Sequence, residues 1–330
     1  SGEHTHIGLA ARLKDGTVTS MFSPADMSKD FMNPIGYGAL MGLLKNYEVI
    51  NPFVSSSNDA FNRLKPGYEA PVCIVTSLGH SPEEPSRNRT VLAGLIRDRS
   101  NPLSTRFELR SPNPKSNTYL VLAASYMAAL DGIRAVLAAE KTPSDLERSI
   151  SKSYGTEDFY LDRDREYRSE KEVFEDYTQE ERDRLFGRAP ATVWENIKAL
   201  DSFPEKTAVL KYAGVMTDIV LESYKYQVIS QWKTELHDRL IPNNMALIRG
   251  CHKLHEYDGF SDLDDKTWKE IDELRHEIGK DTLDYKCLLT RAKEALDNDM
   301  FDEASELQKE IQVKTARMQE LYAKYRKNIL

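Results

Sequence analysis

Apolar and polar positions follow different patterns in three successive stretches of the chain. In the first stretch, up to about residue 140, short apolar runs alternate with segments rich in Gly, Pro, Asn and Ser. The runs at residues 70–75 and 105–110 predict strands, whereas the helical spacing of apolar residues within 37–50 predicts a helix. We therefore expect short strands and helices joined by turns in this stretch.

The longest apolar pattern of the first stretch lies at residues 119–137. It is rich in Ala and Leu, and Asn117 or Thr118 precedes it as a candidate cap. Because few polar positions interrupt the pattern, we expect a helix that is largely buried.

The other two stretches are dominated by charge and by helical periodicity. Residues 141–190 mix acidic and basic side chains closely, which predicts a solvated connector with short helices. From Pro190 the spacing is helical: Pro190 suits a helix start, and residues 209–240 are amphipathic. Within residues 284–330 one apolar stripe predicts a helical hairpin or a short coiled coil that serves packing or subunit contact. The stripe consists of Leu307, Ile311, Met318, Leu321 and Tyr325.

Composition and charge narrow the class of protein. The 330 residues are 40% hydrophobic and 30% charged, as in soluble globular proteins. A net charge of −8 disfavours a general nucleic-acid binder. No apolar run approaches the ~20 residues of a membrane span. Cys73, Cys251 and Cys287 lack metal-ligand spacing and indicate the reduced thiols of a cytosolic protein.

The start of the chain leads directly into a His-x-His motif. His4 and His6 are two residues apart, so on a strand both imidazoles would point to one side, where they could ligate a metal or bind phosphate. Alone, the pair is weak evidence for either role. The motif follows Ser1-Gly2-Glu3 directly, with no initiator Met and no N-terminal helix cap before it. We therefore expect this chain to be a fragment of a longer polypeptide.

A second charged motif lies in the predicted strand at 105–110. Side chains alternate along a strand, so Arg106, Glu108 and Arg110 share one face while Phe107 and Leu109 take the other. Such a face is either a surface ladder of salt bridges or the wall of a pocket that handles a cation and anionic substrates. The strand alone does not decide between these alternatives.

Two further segments carry candidate chemistry. Residues 63–71 form a Pro/Gly loop with charged tips, which could present Glu69 over a pocket or simply connect two elements. Arg87 and Arg89 follow a loop, and Arg97 comes shortly after them. Arginines in such places suit bidentate binding of phosphate or carboxylate.

Taken in order, these motifs resemble the C-terminal half of glutamine synthetase, in a long bacterial form of the type I enzyme. The most specific signals are the loop Arg-Leu-Lys-Pro-Gly-Tyr-Glu-Ala-Pro at 63–71 and the strand Arg-Phe-Glu-Leu-Arg at 106–110. Further signals are His4-Thr5-His6, Arg87-Asn88-Arg89, Leu130-Asp131-Gly132 and Lys211-Tyr212-Ala213-Gly214. The resemblance implies an α+β fold with antiparallel strands and flanking helices over residues 1–240, followed by a helical extension over 241–330.

The resemblance also implies roles for individual residues. His4 and Glu108 would be metal ligands, for Mg²⁺ or Mn²⁺. Glu69 would close over glutamate and accept a proton from ammonium, and Arg89 would be shared between phosphate and glutamate. The substrate glutamate would contact Arg63, Glu69, Arg89 and Arg110. The nucleotide would contact His6, Ile7, Gly8, Arg89, Arg97 and Arg106. The family often has a Lys shortly before the strand, whereas residues 100–104 contain none.

The implied activity is ATP-dependent ligation of ammonia to L-glutamate through γ-glutamyl phosphate, giving glutamine, ADP and phosphate. The family forms double rings, so a cytoplasmic homo-oligomer is expected, with no nucleic acid or membrane as partner. Because further metal ligands of the family precede the matching region, the isolated chain is expected to be inactive. Two alternatives stay open: a γ-glutamyl-amine ligase of the same family that uses a larger amine, and a non-catalytic assembly module.

Overall fold

The computed structural model describes residues 3–64, 73–254 and 262–328. The chain divides into two compact units, residues 1–225 and 226–330. The boundary between them falls within the helix Asp218–Glu235.

A four-stranded sheet forms the centre of the first unit. Its strands are β1 (Thr5–Ile7), β8 (Arg106–Leu109), β7 (Ala93–Ile96) and β4 (Thr76–Ser77), in that order. β8 pairs antiparallel with both β1 and β7, and only β4 runs parallel to its neighbour. Two small hairpins complete the strands: β2 (Ala10–Arg12) with β3 (Val18–Ser20), and β5 (Gly79–Ser81) with β6 (Glu84–Pro85).

The strand predicted at 105–110 is confirmed as β8, and its alternation separates two faces of the sheet. Ile7, Phe107 and Leu109 are at most 1% exposed, and the ring of Phe22 stacks on Phe107 with centroids 4.8 Å apart. This face belongs to the core. Of the strand predicted at 70–75, residues 70–72 lie outside the described residues, and the strand that follows, β4, begins only at Thr76.

The helix predicted within 37–50 is divided into two. Helix α1 (Pro34–Lys45) begins at the cap Asn33, whose side chain accepts a hydrogen bond from the Gly36 N–H at 2.9 Å. Asn46 then leaves helical geometry, and its side-chain amide donates to Asp131 at 3.2 Å. The chain continues as α2 (Tyr47–Val54) and the short α3 (Asn58–Phe61).

The predicted apolar helix is confirmed as α4 (Thr118–Ala139), and Asn117 is its cap, but it is buried along one side only, with eight of its 22 residues buried. It packs against α1 at backbone distance: a Cβ at Gly42 would lie 2.1 Å from the Ala128 carbonyl oxygen, and one at Gly132 would lie 2.0 Å from the Gly38 carbonyl oxygen. By length and composition α4 could cross a membrane, contrary to the expectation from the sequence. Its close packing on α1 is that of a core helix of a globular domain.

Seven helices follow α4 up to and across the unit boundary. They are α5 (Pro143–Ile150), α6 (Gln179–Phe186), α7 (Val193–Ile197), α8 (Ala199–Ser202), α9 (Pro204–Lys211), α10 (Asp218–Glu235) and, after a π-helical turn at Leu236–Leu240, α11 (Ile241–Gly250). The stretch 209–240 is therefore not one continuous helix. Pro190 does not start a helix either, since α7 begins at Val193, where the Thr192 hydroxyl caps the Glu195 N–H at 3.1 Å.

The charged stretch 141–190 is more than a solvated connector. Val173 and Phe186 are fully buried and pack in one cluster with Cys73, Val75 and Val91 near the sheet. Its few apolar residues thus cover one side of the core, and two of its charged side chains, Lys152 and Arg182, are buried and donate to backbone carbonyls. The three cysteines are buried free thiols, as expected.

The second unit contains the predicted helical hairpin. Helices α12 (Asp262–Gly279), α13 (Leu288–Asp297) and α14 (Phe301–Asn328) pack on one another. All five residues of the predicted stripe on α14 are buried. The indole N–H of Trp232 donates to Gln308 at 2.8 Å, which fixes a polar contact inside this apolar interior.

Candidate active site

The polar face of the sheet brings together four of the candidate residues. In the antiparallel ladder Glu108 of β8 lies opposite His6 of β1. Residues at even positions of these strands share the face opposite the core, so His4, His6, Arg106 and Glu108 come from two sequence motifs about a hundred residues apart to one surface.

Glu108 is held through one of its two oxygens. Its Oε1 lies 2.8 Å from His4 Nδ1 and 3.0 Å from Arg110 Nη2. Among the residues that the structure describes, none donates a hydrogen bond to Oε2. The Glu108 side chain is 13% exposed. The carboxylate is thus oriented by two partners and keeps one oxygen for a further ligand.

The ring of His4 is oriented from its other side. Arg63 Nη2 lies 3.1 Å from His4 Nε2, and a guanidinium can only donate. In this arrangement Nε2 accepts, so Nδ1 carries the proton and donates to Glu108. Arg63 therefore selects the tautomer of a candidate ligand.

The His4 and Glu108 pair fits a hard divalent cation. In the described arrangement Nδ1 donates to Oε1 and Nε2 accepts from Arg63, so His4 would ligate a cation only after one ring nitrogen is freed, whereas Oε2 of Glu108 is already available. Imidazole nitrogen and carboxylate oxygen both suit Mn²⁺. Within the described ranges no group of three or more His, Cys, Asp or Glu is found, so these two ligands alone would leave most of a coordination sphere to other groups.

A second pair lies beside the first on β1 and β8. Arg106 Nε donates to His6 Nδ1 at 3.0 Å, and its Nη1 donates to the Ser104 carbonyl at 2.7 Å. The next residue but one after His6, Gly8, accepts a hydrogen bond from the hydroxyl of Tyr126 on α4 at 3.1 Å. Tyr126 could not be identified as a candidate from the sequence, because no spacing of residues relates a position on α4 to β1.

Ile7 and Arg97 are placed differently from the other candidates for nucleotide contact. The side chain of Ile7 is fully buried on the core face, which leaves only its backbone for a ligand on the polar face. Arg97 donates to the carbonyls of Met27 and Asp30, the latter at 3.1 Å. Burial and the neighbouring charge of Arg99 lower the pKa of Arg97. These contacts tie Arg97 to the segment before α1 and not to Glu108.

The remaining candidates border the same face or lie outside the described residues. Arg110 follows β8 directly and is 6% exposed, and its N–H donates to the Leu92 carbonyl at 3.0 Å. Arg89 is exposed, in a turn fixed by Asn88, which accepts from the Thr90 N–H at 2.9 Å. Glu69, the proposed proton acceptor, lies outside the described residues.

On its other side Glu108 faces a glycine. The register of β7 and β8 places Gly94 opposite Glu108. A Cβ built on Gly94 would meet no atom of a described residue within 4 Å. Among the described residues, none fills the space next to the candidate metal ligand at Gly94, which the sequence alone did not indicate.

Comparisons with known proteins agree with the resemblance seen in the sequence. The family model of the glutamine synthetase catalytic domain matches residues 1–153. Glutamine synthetase of Clostridium saccharobutylicum is 37% identical over 154 residues, 46% of this chain and 30% of that protein. The Salmonella typhimurium enzyme is 36% identical over 137 residues, 41% of this chain and 25% of that protein.

Among solved structures, glutamine synthetase of Plasmodium falciparum aligns with a TM-score of 0.48 and 19% identity, over 70% of this chain and 43% of that one. The match spans less than a third of the length of the Clostridium saccharobutylicum and Salmonella typhimurium enzymes. The match to the glutamine synthetase catalytic domain covers residues 1–153, less than half of the chain, and every residue of the polar face described above lies within them.

Proposed function

We propose that this glutamine synthetase-type chain contributes one half of an active site that ligates ammonia to L-glutamate with ATP. The observation that carries the proposal is the arrangement at Glu108, whose Oε1 is fixed by His4 and Arg110 while Oε2 is uncommitted among the described residues. An oxygen without a donor on an otherwise fixed carboxylate is available to a further ligand.

The reaction requires a carboxylate to be activated before an amine can displace an oxygen from it. ATP would transfer its terminal phosphoryl group to the glutamate side chain, and ammonia would then attack the acyl phosphate and release phosphate. Positively charged groups in fixed positions stabilise the charge that develops on the phosphoryl oxygens. Arg110 is buried and oriented by Glu108, so it is set for this role or for the carboxylate of glutamate.

His4 and Glu108 would hold a divalent cation, Mg²⁺ or Mn²⁺. The chemistry that such a cation supplies is neutralisation of phosphate oxygens. His6 and Arg106 would contact the nucleotide phosphates, with Arg106 held by its bonds to His6 and to the Ser104 carbonyl. Arg63 would contact glutamate as well as His4. Arg89 would reach phosphate from the turn that Asn88 fixes, and Glu69 would accept the proton from ammonium.

The proposal includes dependence on other polypeptide segments. Two protein ligands leave most of the octahedral sphere of Mg²⁺ to water, substrate phosphates or further protein groups, and we propose that some of these groups come from other polypeptide segments. We propose that the full-length protein is a cytoplasmic homo-oligomer and that the 330 residues alone do not make glutamine. Glutamine formation by the isolated chain at the rate of a complete enzyme would show this part to be wrong.

The test is glutamine formation by a full-length protein that contains these residues, assayed with ATP, Mg²⁺, glutamate and ammonia. Glu108→Gln keeps the shape and the Oε1 acceptor but removes the charge. We expect kcat to fall at least about a hundredfold, as for loss of a group that stabilises transition-state charge. Glu83→Gln is the matched control, because Glu83 is exposed and pairs only loosely with Arg99 at 3.4 Å.

Each alternative predicts a different outcome. An assembly module predicts no ATP-dependent product with any amine and no effect of Glu108→Gln. A γ-glutamyl-amine ligase predicts that methylamine or ethylamine is a better substrate than ammonia, with the same loss on Glu108→Gln. Full activity of the Glu108→Gln variant would contradict both ligase assignments of the site.

A further inference from the structure

We propose that Tyr47 is a positioning residue for Arg110, on which it acts through the hydroxyl group of Ser111. Arg110 is one of the residues proposed above to contact the carboxylate of glutamate, so this inference rests on the proposed function. Tyr47 is a buried residue of α2, and no sequence motif identified it as a candidate.

Arg110 lies at the point where the chain leaves the central sheet. Its backbone N–H donates to the Leu92 carbonyl at 3.0 Å, on the sheet side. The next residue, Ser111, is buried and is joined to α2 by a hydrogen bond between its hydroxyl and that of Tyr47. The backbone that carries the Arg110 side chain is therefore anchored on both sides, by the sheet and by Tyr47.

Buried amides hold the Tyr47 hydroxyl from its other side. Asn196 of α7 uses its amide nitrogen for the carbonyls of Asn51 and Ser55, at 3.1 and 3.0 Å, and a carbonyl can only accept. The amide oxygen of Asn196 therefore accepts from the amide nitrogen of Asn51 at 2.9 Å. This leaves the side-chain oxygen of Asn51 as the acceptor for the Tyr47 hydroxyl at 3.0 Å. These contacts begin at a residue outside the family match to 1–153.

The direction of the last hydrogen bond follows from the others. The Tyr47 hydroxyl has one proton, which it donates to Asn51, so it accepts from the hydroxyl of Ser111. Burial raises the pKa of Tyr47 above its ordinary value, and the phenol therefore keeps this proton at neutral pH. The polar relay runs from Asn196 through Asn51 and Tyr47 to Ser111. Each of its members has one fixed orientation.

Packing alone does not hold Ser111 in place. All four residues of the polar relay line a cavity of about 330 Å³, so Ser111 borders space that the described residues do not fill. A side chain beside such a space lacks contacts on that side and can relax into it when a hydrogen bond is lost. The bond to Tyr47 therefore determines where Ser111 lies, and with it the backbone at Arg110.

The experiment compares Tyr47→Phe, Ser111→Ala and the double variant in the full-length protein. Binding of L-glutamate is measured by calorimetry with ADP and Mg²⁺ present, together with the KM for ATP. We expect all three variants to raise the Kd for L-glutamate by the same factor, about fivefold, because each removes the same hydrogen bond. The KM for ATP should not change. Tm should fall more in Tyr47→Phe, which also leaves Asn51 without its donor, so a role in the fold alone would not give equal Kd values.

Tyr224→Phe is the matched control. It removes another buried tyrosine hydroxyl from α2, one that donates to the Pro52 carbonyl at 2.9 Å, so we expect a lower Tm and an unchanged Kd for L-glutamate. Should Tyr47→Phe fail to fold, the comparison of Ser111→Ala with Tyr224→Phe decides.

Four results would overturn the inference: no binding of L-glutamate by the unaltered protein, an unchanged Kd in Ser111→Ala, additive losses in the double variant, or the same loss in Tyr224→Phe. The proposed function is tested separately by Glu108→Gln. If L-glutamate binds in a Ser111-dependent way but no glutamine is formed, the proposed function fails and the positioning role stands. If glutamine is formed and Ser111→Ala changes nothing, the positioning role alone fails.

Discussion

Two carboxylates of the first unit, Glu108 and Glu170, both lie beside arginines but differ in how their oxygens are used. Glu170 accepts four hydrogen bonds, two at each oxygen. Oε1 takes the Leu78 N–H at 3.1 Å and Arg168 Nε at 2.9 Å, and Oε2 takes the Gly79 N–H at 3.0 Å and the Ser77 hydroxyl.

Glu108 accepts both of its contacts, from His4 and Arg110, at a single oxygen. Glu170 therefore serves the fold, because its two oxygens accept from two backbone N–H groups, from Arg168 Nε and from the Ser77 hydroxyl. Glu108, by contrast, has one oxygen that can still accept a ligand. An arginine beside an acid does not by itself identify a site, whereas an oxygen without a donor among the described residues is available to a ligand.

The largest expected difference between Glu170 and Glu108 is in the free energy of unfolding, and replacing each glutamate by glutamine, which has the same shape, measures it. In Glu170→Gln an amide NH₂ must face two donors at one oxygen position, and an unpaired buried donor costs about 1–3 kcal/mol. We expect Glu170→Gln to lower the free energy of unfolding by about 3 kcal/mol. In Glu108→Gln the NH₂ takes the place of Oε2, so we expect a loss of less than about 1 kcal/mol. Urea unfolding of both variants measures this, and equal losses would remove the distinction.

The pH dependence of stability should show the contribution of Glu170. Burial of Glu170 opposes its ionisation, but hydrogen bonds from Ser77, Arg168 and the Leu78 N–H outweigh this and lower the pKa of Glu170 from 4.5. A lowered carboxylate pKa stabilises the fold above the unfolded pKa, and that stability is lost as the pH falls through the folded pKa.

Thermal unfolding between pH 6 and pH 3 tests this expectation. The unaltered chain should lose stability below about pH 4.5, and Glu170→Gln should remove part of that loss. A pH profile of Glu170→Gln that parallels the unaltered chain would show that Glu170 does not contribute.

The smallest expected effect concerns the support of β1. Tyr126→Phe removes one hydrogen bond, to the Gly8 carbonyl, and a bond of this kind is worth about 1 kcal/mol or less at a partly exposed position. We expect at most a small fall in Tm and an increase in the Kd for ADP of about threefold. Phe keeps the packing of the ring, so a fall in Tm of many degrees would mean that Tyr126 acts on the fold, as Glu170 does.

Elements with strong local patterns were predictable from the sequence. The alternation at 105–110 gave β8 and both of its faces, Asn117 gave the cap of α4, and the apolar stripe at the end of the chain gave α14. These features depend on residues that are neighbours on one element. The motifs of the polar face could likewise be matched to a family without knowledge of their distances.

Features that depend on tertiary contacts were not predictable. The helix break at Asn46 follows from its contact with Asp131, 85 residues away. The burial of Val173 and Phe186 depends on cysteine and valine residues from the sheet region. Gly94 became informative only when the register placed it opposite Glu108. In each case the partner is distant in the chain, and local spacing carries no trace of it.

The central claim is that Glu108 keeps an oxygen for a divalent cation. It is tested most directly by Mn²⁺ binding to the unaltered chain, to Glu108→Gln and to Glu83→Gln, followed by electron paramagnetic resonance of the free ion. We predict that Glu108→Gln raises the Kd for Mn²⁺ at least about tenfold, which is 1.4 kcal/mol, while Glu83→Gln leaves it unchanged. The same Kd for all three chains would contradict the claim.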